Sequence, residues 1–278
     1  MIFNMNAPAS SKLRRIITMN QTLGEGLQII LPPHKTQHLI FPGGGFFFWW
    51  QAGTIQTLSE TFDLKNGSFS MYGASAGSIS SVLAACNVDL HYAMTEAFRI
   101  PKKSCGVTHA YLIELWLHKI LPEDCHKICS NGKVNISITT ITISFIPLHR
   151  KVISNFSSKQ DLIDACLTSS HIPFFMDGNF SRTFHGESCV DGSFLFFLHH
   201  TPWPKAELLD GNQRALMFFQ GNDQELMKQH FSILHVLDQK STILMFNLGR
   251  AYGNRLLKDV QNSVSHPVSK SITSSHKS

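Results

Sequence analysis

The sequence predicts a three-layer α/β/α sandwich with a largely parallel central sheet. Strand-like and helix-like patterns alternate along the chain, which is typical of α/β proteins. Two glycine-rich turns each follow a short strand-like segment and precede a helix-like one. The chain has 278 residues, of which 43% are hydrophobic, so it can bury a sizeable core as a single domain.

The first half of the chain supplies two strand-and-helix pairs. The apolar run 39–41 predicts a short strand, and segment 51–60 is interpreted as the helix that follows it. Polar and bulky residues alternate over 68–72, which predicts a second strand. Small residues over 78–85 then favour a buried helix.

The second half continues the alternation. Helices are predicted over 109–121, 225–237 and 248–260, and a strand over 134–138. The alternation slips at Thr139 and Thr140, which predicts a β-bulge. Ser158 and Asp161 have the spacing of a helix start, with Ser158 as the N-cap of a helix leading to Cys166.

Composition divides the chain into three parts. Residues 1–24 contain no Asp or Glu but include Lys12, Arg14 and Arg15, so 1–35 is interpreted as a flexible leader or an organelle-targeting segment. Residues 36–260 form the predicted folded domain. Residues 261–278 are polar and serine-rich, which predicts a disordered tail.

The overall charge favours an anionic surface as a partner. The formal net charge is +5 and the pI is about 8.9, which suits phospholipid headgroups. Basic residues are scattered and accompany no nucleic-acid motif, so no nucleic-acid partner is predicted. Six irregularly spaced cysteines indicate a reducing, intracellular and cytoplasmic setting, and no apolar run is long enough to span a bilayer.

Two motifs point to acyl chemistry. Gly43, Gly44 and Gly45 follow the first strand, and backbone N–H groups in such a loop can point at a developing negative charge. The second motif, 73–77, reads G-x-S-x-G and places Ser75 between a strand and a helix, where the helix N-terminus stabilises an anion. An ordinary glycine-bounded turn is the alternative. A nucleotide-binding loop is disfavoured because no Lys-Ser or Lys-Thr pair follows the glycines.

A third segment gives the chain a family resemblance. Val190-Asp191-Gly192-Ser193 follows a small-residue segment, 165–172, and a Pro-Phe pair. From Leu39 to Ser193 the order of these motifs resembles that of the patatin-like phospholipase family. The resemblance implies that Ser75 is the nucleophile and Asp191 its catalytic partner.

The same resemblance implies that Gly43, Gly44 and Gly45 form the oxyanion hole, helped by the N–H of Ala76. A serine needs a base that accepts its proton, and a carboxylate can serve without a histidine if its pKa is suitable. The alternative is a Ser-Asp-His triad that uses one of the later histidines, His199, His200 or His235.

Five consecutive aromatic residues follow the glycines. Core packing explains some of them, because a helix turns through every direction in about four residues. The others could line an acyl-chain cleft or contact lipid, since tryptophan favours membrane interfaces. The residues considered for this contact are Phe46, Phe47, Trp49 and Trp50.

These observations predict a serine acyl-hydrolase of the phospholipase A or lipase type that cleaves carboxylic esters of membrane or storage lipids. An acyl-serine intermediate, and neither a metal nor an organic cofactor, is expected. The expected partners are the lipid substrate and a peripheral membrane or lipid-droplet surface. A non-catalytic lipid-binding protein with the same fold is the alternative from another class.

Overall fold

The computed structural model describes residues 37–100, 107–142, 148–195, 215–229, 231 and 238–265. The strands are β1 (Gln37–Phe41), β2 (Phe69–Ala74), β3 (Val134–Ile141), β4 (Leu148–Ile153), β5 (Arg182–Phe184), β6 (Glu187–Val190) and β7 (Ala215–Met217). The helices are α1 (Phe48–Ser59), α2 (Ala76–Ala85), α3 (Leu90–Arg99), α4 (His109–Ile120), α5 (Cys125–Cys129), α6 (Lys159–Ser169), α7 (Gln224–Met227) and α8 (Gln239–Ser265). Short 3₁₀ turns cover Gly45–Phe47 and Gln220–Asn222.

The strands form one mixed sheet flanked by helices, which confirms the predicted fold class. Its order is β5-β6-β3-β2-β1-β7, with β4 also paired to β3. Parallel pairing joins β7, β1, β2 and β3, while β4, β5 and β6 join through antiparallel pairs. The parallel character is therefore confined to the four strands on the β7 side.

Strand β3 shares one of its edges between two partners. Parallel β2 pairs with Val134–Ser137 of β3, and antiparallel β6 pairs with Thr139–Ile141. Strand β4 pairs along Ile136–Ile141. Because a strand has only two edges, β2 and β6 must lie end to end on the edge opposite β4. The C-terminal ends of β2 and β6 therefore point at each other across Ile138.

The predicted bulge at Thr139 and Thr140 is wrong. The register between β3 and β4 is continuous from Ile136 to Ile141. Both threonines are buried and bond through their hydroxyls, Thr139 to the Asp191 carbonyl at 2.9 Å and Thr140 to the His149 carbonyl at 3.3 Å. Polar and apolar residues do not alternate here because both faces of β3 are buried.

Helices α2 and α6 pack on one face of the sheet, against a core that includes Leu39, Phe41, Met71 and Ile136. Helices α1 and α8 pack backbone to backbone. A Cβ on Gly53 would lie 2.0 Å from the Phe246 carbonyl oxygen, so the helices approach this closely only with glycine at that position.

Most predicted helices are found near their expected limits. The Ser158 hydroxyl accepts the Asp161 N–H at 3.1 Å, as the helix-start spacing predicted. Helix α8 begins nine residues before the predicted 248, and α7 ends at Met227, so the helix predicted over 225–237 is too long. No helix in the described part of the chain has the length and apolarity to cross a membrane.

Several predictions fall on residues that the structure does not describe. These are the leader 1–35, residues 266–278 of the tail, and the three histidines of the alternative triad, His199, His200 and His235. They stay predictions. Helix α8 extends to Ser265.

Candidate active site

Ser75 lies on a strained turn between β2 and α2. Its backbone has φ 54° and ψ −134°, a conformation that non-glycine residues adopt at a cost of about 1–3 kcal/mol. The turn is tight because α2 begins against the end of β1, where a Cβ on Gly77 would lie 1.9 Å from the Phe41 carbonyl oxygen. The small residue two positions after Ser75 is therefore a steric requirement.

Asp191 follows β6 and is almost completely buried. Its backbone N–H donates to the His171 carbonyl at 2.9 Å, and its Oδ1 accepts the Ser193 N–H at 2.7 Å. Burial raises the pKa of this carboxyl to about 6, while the nearby Ser75 hydroxyl and the Ser193 N–H oppose that rise. Near neutral pH the group is thus a carboxylate with an unusually high affinity for a proton.

The structure brings Ser75 and Asp191 together. Both follow the ends of strands that meet on one edge of β3, and the Ser75 hydroxyl is close enough to lower the pKa of Asp191. The second carboxylate oxygen, Oδ2, is buried and has no hydrogen-bond partner. Neither nearby hydroxyl reaches hydrogen-bonding geometry with it, so Oδ2 is a free acceptor beside the serine.

The Ser169 hydroxyl holds the two halves of the site in place. It accepts the Ser75 N–H at 2.9 Å and donates to the Ser137 carbonyl at 2.6 Å. The Ser169 carbonyl accepts the Gly192 N–H at 2.8 Å. One residue at the end of α6 thereby connects the serine turn, β3 and the segment after Asp191.

The glycine loop lies directly beside Ser75. A Cβ on Gly43 would lie 3.1 Å from the Ser75 Cβ and 2.2 Å from the Ser193 Oγ, so the loop backbone approaches the serine closely. Gly45 has φ +52°, which glycine adopts without cost. Gly44 precedes the 3₁₀ turn, and Ala76 opens α2.

A glutamine that the sequence analysis did not single out fixes this loop. The Gln51 side chain is fully buried, donates to the Pro42 carbonyl at 2.9 Å and accepts the Ser80 hydroxyl at 2.7 Å. It therefore joins the start of the glycine loop to α2. A polar residue directly after five consecutive aromatic residues was the available signal.

Ser169 and Ser193 were also missed. Their signals were a serine closing a small-residue helix and a serine after the Asp-Gly pair. The Ser193 Oγ is buried without a hydrogen-bond partner, and it lies between the glycine loop and Asp191.

The aromatic run is largely structural. Trp50 is fully buried, and its indole donates to the Asp223 carboxylate at 2.8 Å. Phe47 is buried, whereas Phe46, Phe48 and Trp49 are partly buried against the core. Contact with an acyl chain stays a prediction for Phe46, Phe47 and Trp49, and Trp50 has no exposed surface with which to meet lipid.

The described histidines near the site contact groups other than Ser75 and Asp191. The His171 ring lies 3.2 Å from the Asn179 carbonyl, and the His185 ring lies 2.7 Å from the Asp161 carboxylate. Within the described ranges, no group of three or more His, Cys, Asp or Glu side chains could hold a metal ion.

No protein-family model matches the chain, but several curated proteins are similar to it. Human patatin-like phospholipase domain-containing protein 2 is 28% identical over 234 residues, which are 80% of this chain and 44% of that protein. Mouse 1-acylglycerol-3-phosphate O-acyltransferase Pnpla3 is 30% identical over 170 residues, 58% of this chain and 40% of that protein. Human omega-hydroxyceramide transacylase is 28% identical over 174 residues, 58% of this chain and 31% of that protein.

Two solved structures are also similar. ExoU of Pseudomonas aeruginosa, in its complex with SpcU, has a TM-score of 0.45 at 16% identity, covering 83% of this chain and 52% of that chain. VipD of Legionella pneumophila has a TM-score of 0.41 at 12% identity, covering 82% of this chain and 67% of that chain.

The fold and the site define an α/β protein with a serine turn beside a glycine loop. The resemblance to the patatin-like phospholipase family is confirmed by relatives whose names include a patatin-like phospholipase domain. The chain spans less than half the length of the curated relatives described above.

The strain at Ser75 predicts an unusual order of stabilities. Ser75→Gly should be more stable than Ser75→Ala by about 1 kcal/mol, because glycine adopts the positive φ freely and this outweighs its greater entropy in the unfolded chain. Urea unfolding of both variants measures the difference. At exposed Ser188 on β6 the same pair should show the opposite order. Equal or reversed stabilities at position 75 would contradict the strained turn.

Burial of Asp191 predicts a pH-dependent gain in stability for Asp191→Asn. The folded-state pKa of about 6 exceeds the ordinary 3.8, so the stabilising contribution of the protonated group is present below about pH 4 and is lost as pH rises through 6. The shift corresponds to roughly 3 kcal/mol.

The unfolding free energy of Asp191→Asn should therefore rise relative to that of the wild type by up to roughly 3 kcal/mol between pH 4 and pH 8. Other groups that titrate in both proteins contribute equally to the two unfolding free energies, so their contributions cancel in this comparison. A constant difference across that range would show that Asp191 is not a buried charge.

Proposed function

We propose that the chain is a lipid acyl-hydrolase that uses Ser75 as nucleophile and Asp191 as general base and acid. The observation that supports this most directly is the unpartnered Oδ2 of a buried carboxylate beside a serine on a strained turn. A purely structural carboxylate would be expected to satisfy both oxygens. The curated relatives that carry the patatin-like name support a lipid ester as the substrate.

In the first step, the Ser75 oxygen attacks the ester carbonyl carbon as its proton passes to Asp191 Oδ2. The carbonyl π-electron pair moves to the oxygen, which becomes an oxyanion. The N–H groups of Gly44, Gly45 and Ala76 are proposed to stabilise that charge, and each oxyanion donor contributes about 3 kcal/mol. The carbonyl then re-forms, the bond to the alcohol oxygen breaks, and Asp191 returns its proton to that oxygen.

In the second step, water attacks the acyl-serine. Asp191 accepts a proton from the water, the Ser75–acyl bond breaks, and the same proton returns to the serine oxygen. The products are a fatty acid and the regenerated serine. A carboxyl with a pKa of about 6 suits both roles, because near neutral pH it is ionised yet readily protonated.

A fluorophosphonate probe tests whether this serine is reactive. The wild type should be labelled and Ser75→Ala should lose labelling, while Ser188→Ala, which removes an exposed hydroxyl on β6, should keep it. Asp191→Asn should lower kcat/KM for a soluble short-chain ester by at least about a hundredfold. In the wild type, kcat/KM should fall about tenfold per unit below pH 6 as Asp191 is protonated.

Failure of the folded wild type to label would favour the alternative of a lipid-binding protein without turnover. A near-total loss of hydrolysis on replacing His199, His200 or His235 would favour the triad instead.

Transfer of the acyl group to an alcohol is a second candidate function, supported by the transacylase and acyltransferase among the relatives. The chemistry differs only in the second step, where an alcohol replaces water as the molecule that Asp191 deprotonates. The acyl-serine and its requirements are unchanged.

Product analysis separates these two outcomes. With a lipid ester and an excess of monoacylglycerol as acceptor, a hydrolase releases mainly fatty acid, and a transferase forms mainly diacylglycerol. We expect fatty acid to dominate; mainly diacylglycerol would replace hydrolysis by transfer. Both products should disappear in Ser75→Ala.

A further inference from the structure

A second feature of the molecule is a cluster of exposed aromatic side chains close to Asp191. It lies on residues 172–180, between α6 and β5, here called the aromatic loop. Phe174 is 67% exposed, Phe180 53% and Phe175 50%, and Ile172 is also exposed. At roughly 200 Å² per phenylalanine side chain, the three rings leave about 340 Å² of apolar surface in water, a patch size that in monomers is often functional.

The loop is a built structure whose fixed parts hold the rings outward. Met176 is buried, and its carbonyl accepts the Ala110 N–H of α4 at 3.0 Å. The Phe175 ring stacks on His109 at 4.9 Å with a 7° angle between planes. These contacts fix the conformation of the loop, and in this conformation the rings are exposed.

Phe174 carries backbone strain. Its φ is +64°, a genuine outlier for a bulky residue, and its N–H is fixed by the Asn179 carbonyl at 2.8 Å. Strained conformations persist where the surrounding structure imposes them, and they cluster at functional positions. Here the strain accompanies the most exposed ring of the loop.

The loop is directly connected to the candidate active site. His171, the residue before it, is buried, and its carbonyl accepts the Asp191 N–H at 2.9 Å. A surface bound by the aromatic loop would therefore lie beside the serine and the carboxylate.

The exposed chemistry of the loop suits a lipid surface better than a protein partner. The side chain of its only carboxylate, Asp177, is 18% exposed and lies 3.8 Å from the Nδ1 of the buried His171, and its Oδ1 accepts the Asn179 N–H at 2.9 Å. Apart from Asn179, the exposed side chains of the loop are aromatic and aliphatic, and such groups enter the headgroup boundary of a bilayer. A protein interface would be expected to surround such anchors with polar groups. The formal net charge of +5 adds attraction to anionic lipids.

We propose that the aromatic loop is the lipid-docking surface of the protein, and that Phe174, Phe175 and Phe180 enter the bilayer interface beside the active site. This proposal rests on the proposed function for its substrate, a lipid held in a membrane.

Co-sedimentation with phosphatidylcholine vesicles, with and without phosphatidylglycerol, tests the docking surface. The wild type should bind, and Phe174→Asp/Phe175→Asp should bind at least about tenfold more weakly. A matched control is Tyr92→Asp. Tyr92 is an exposed aromatic on α3, close to the C-terminal end of α2, and about 15 Å of helix separates that end from Ser75. This control should bind vesicles as the wild type does.

A second variant shows whether weaker vesicle binding results from loss of the ring or from misfolding. Phe174→Gly removes the most exposed ring and also relieves the positive φ, so it should be at least as stable as the wild type. We expect weaker vesicle binding in this variant too. Unchanged binding in both loop variants, equal loss in Tyr92→Asp, or no binding by the wild type would overturn the proposal.

Activity measurements keep the two proposals apart. The loop variants should hydrolyse a monomeric soluble ester at the wild-type rate and lose hydrolysis of vesicle lipid. If the wild type binds vesicles through the loop but hydrolyses neither substrate, the docking surface stands and the proposed function fails. If soluble ester is hydrolysed but the loop variants bind vesicles normally, the function stands and the docking surface fails.

Discussion

The shared edge of β3 is the constraint on which the rest of the structure depends. Strand β2 occupies the first half of that edge and β6 the second, so the residues that follow them, Ser75 and Asp191, face one another. The Ser137 and Thr139 hydroxyls bond to the carbonyls of Gly192 and Asp191 on either side of the gap. Without this end-to-end arrangement, a serine and an acid from distant parts of the chain would have no reason to meet.

The polar groups around this gap are of two kinds. The hydroxyls of Ser137, Thr139 and Ser169 are buried and hydrogen-bonded, as interior polar groups usually are. Asp191 Oδ2 and Ser193 Oγ are buried without partners. Well-satisfied groups fix the geometry, and the unsatisfied groups mark the place where a substrate could complete the set. Functional positions are expected to carry such a local cost in folding free energy, which the hydrogen-bonded groups around them offset.

Sequence reasoning predicted the fold class and the strand before each glycine motif, because these depend on local patterns. The catalytic roles of Ser75 and Asp191 stay predictions, although the structure brings the two side chains close together. Sequence reasoning did not reach Ser169 or Gln51, since their roles arise from contacts between elements far apart in the chain. The bulge at Thr139 was inferred from a one-sided view of β3, although the strand is buried on both faces. The aromatic run beside the glycines drew attention to lipid contact, whereas the most exposed phenylalanine among the described residues lies at Phe174.

The end-to-end meeting of β2 and β6 also orders events during synthesis of the chain. Strands β1, β2 and β3 leave the ribosome first, in line with the tendency of N-terminal regions to fold first, and Ser169, whose hydroxyl accepts the Ser75 N–H, follows later. Strand β6 leaves the ribosome only after all of them, and Asp191 takes its place only when β6 docks on the remaining part of the β3 edge. A nascent chain thus holds Ser75 without Asp191 beside it, and the pair is complete only after translation has passed β6.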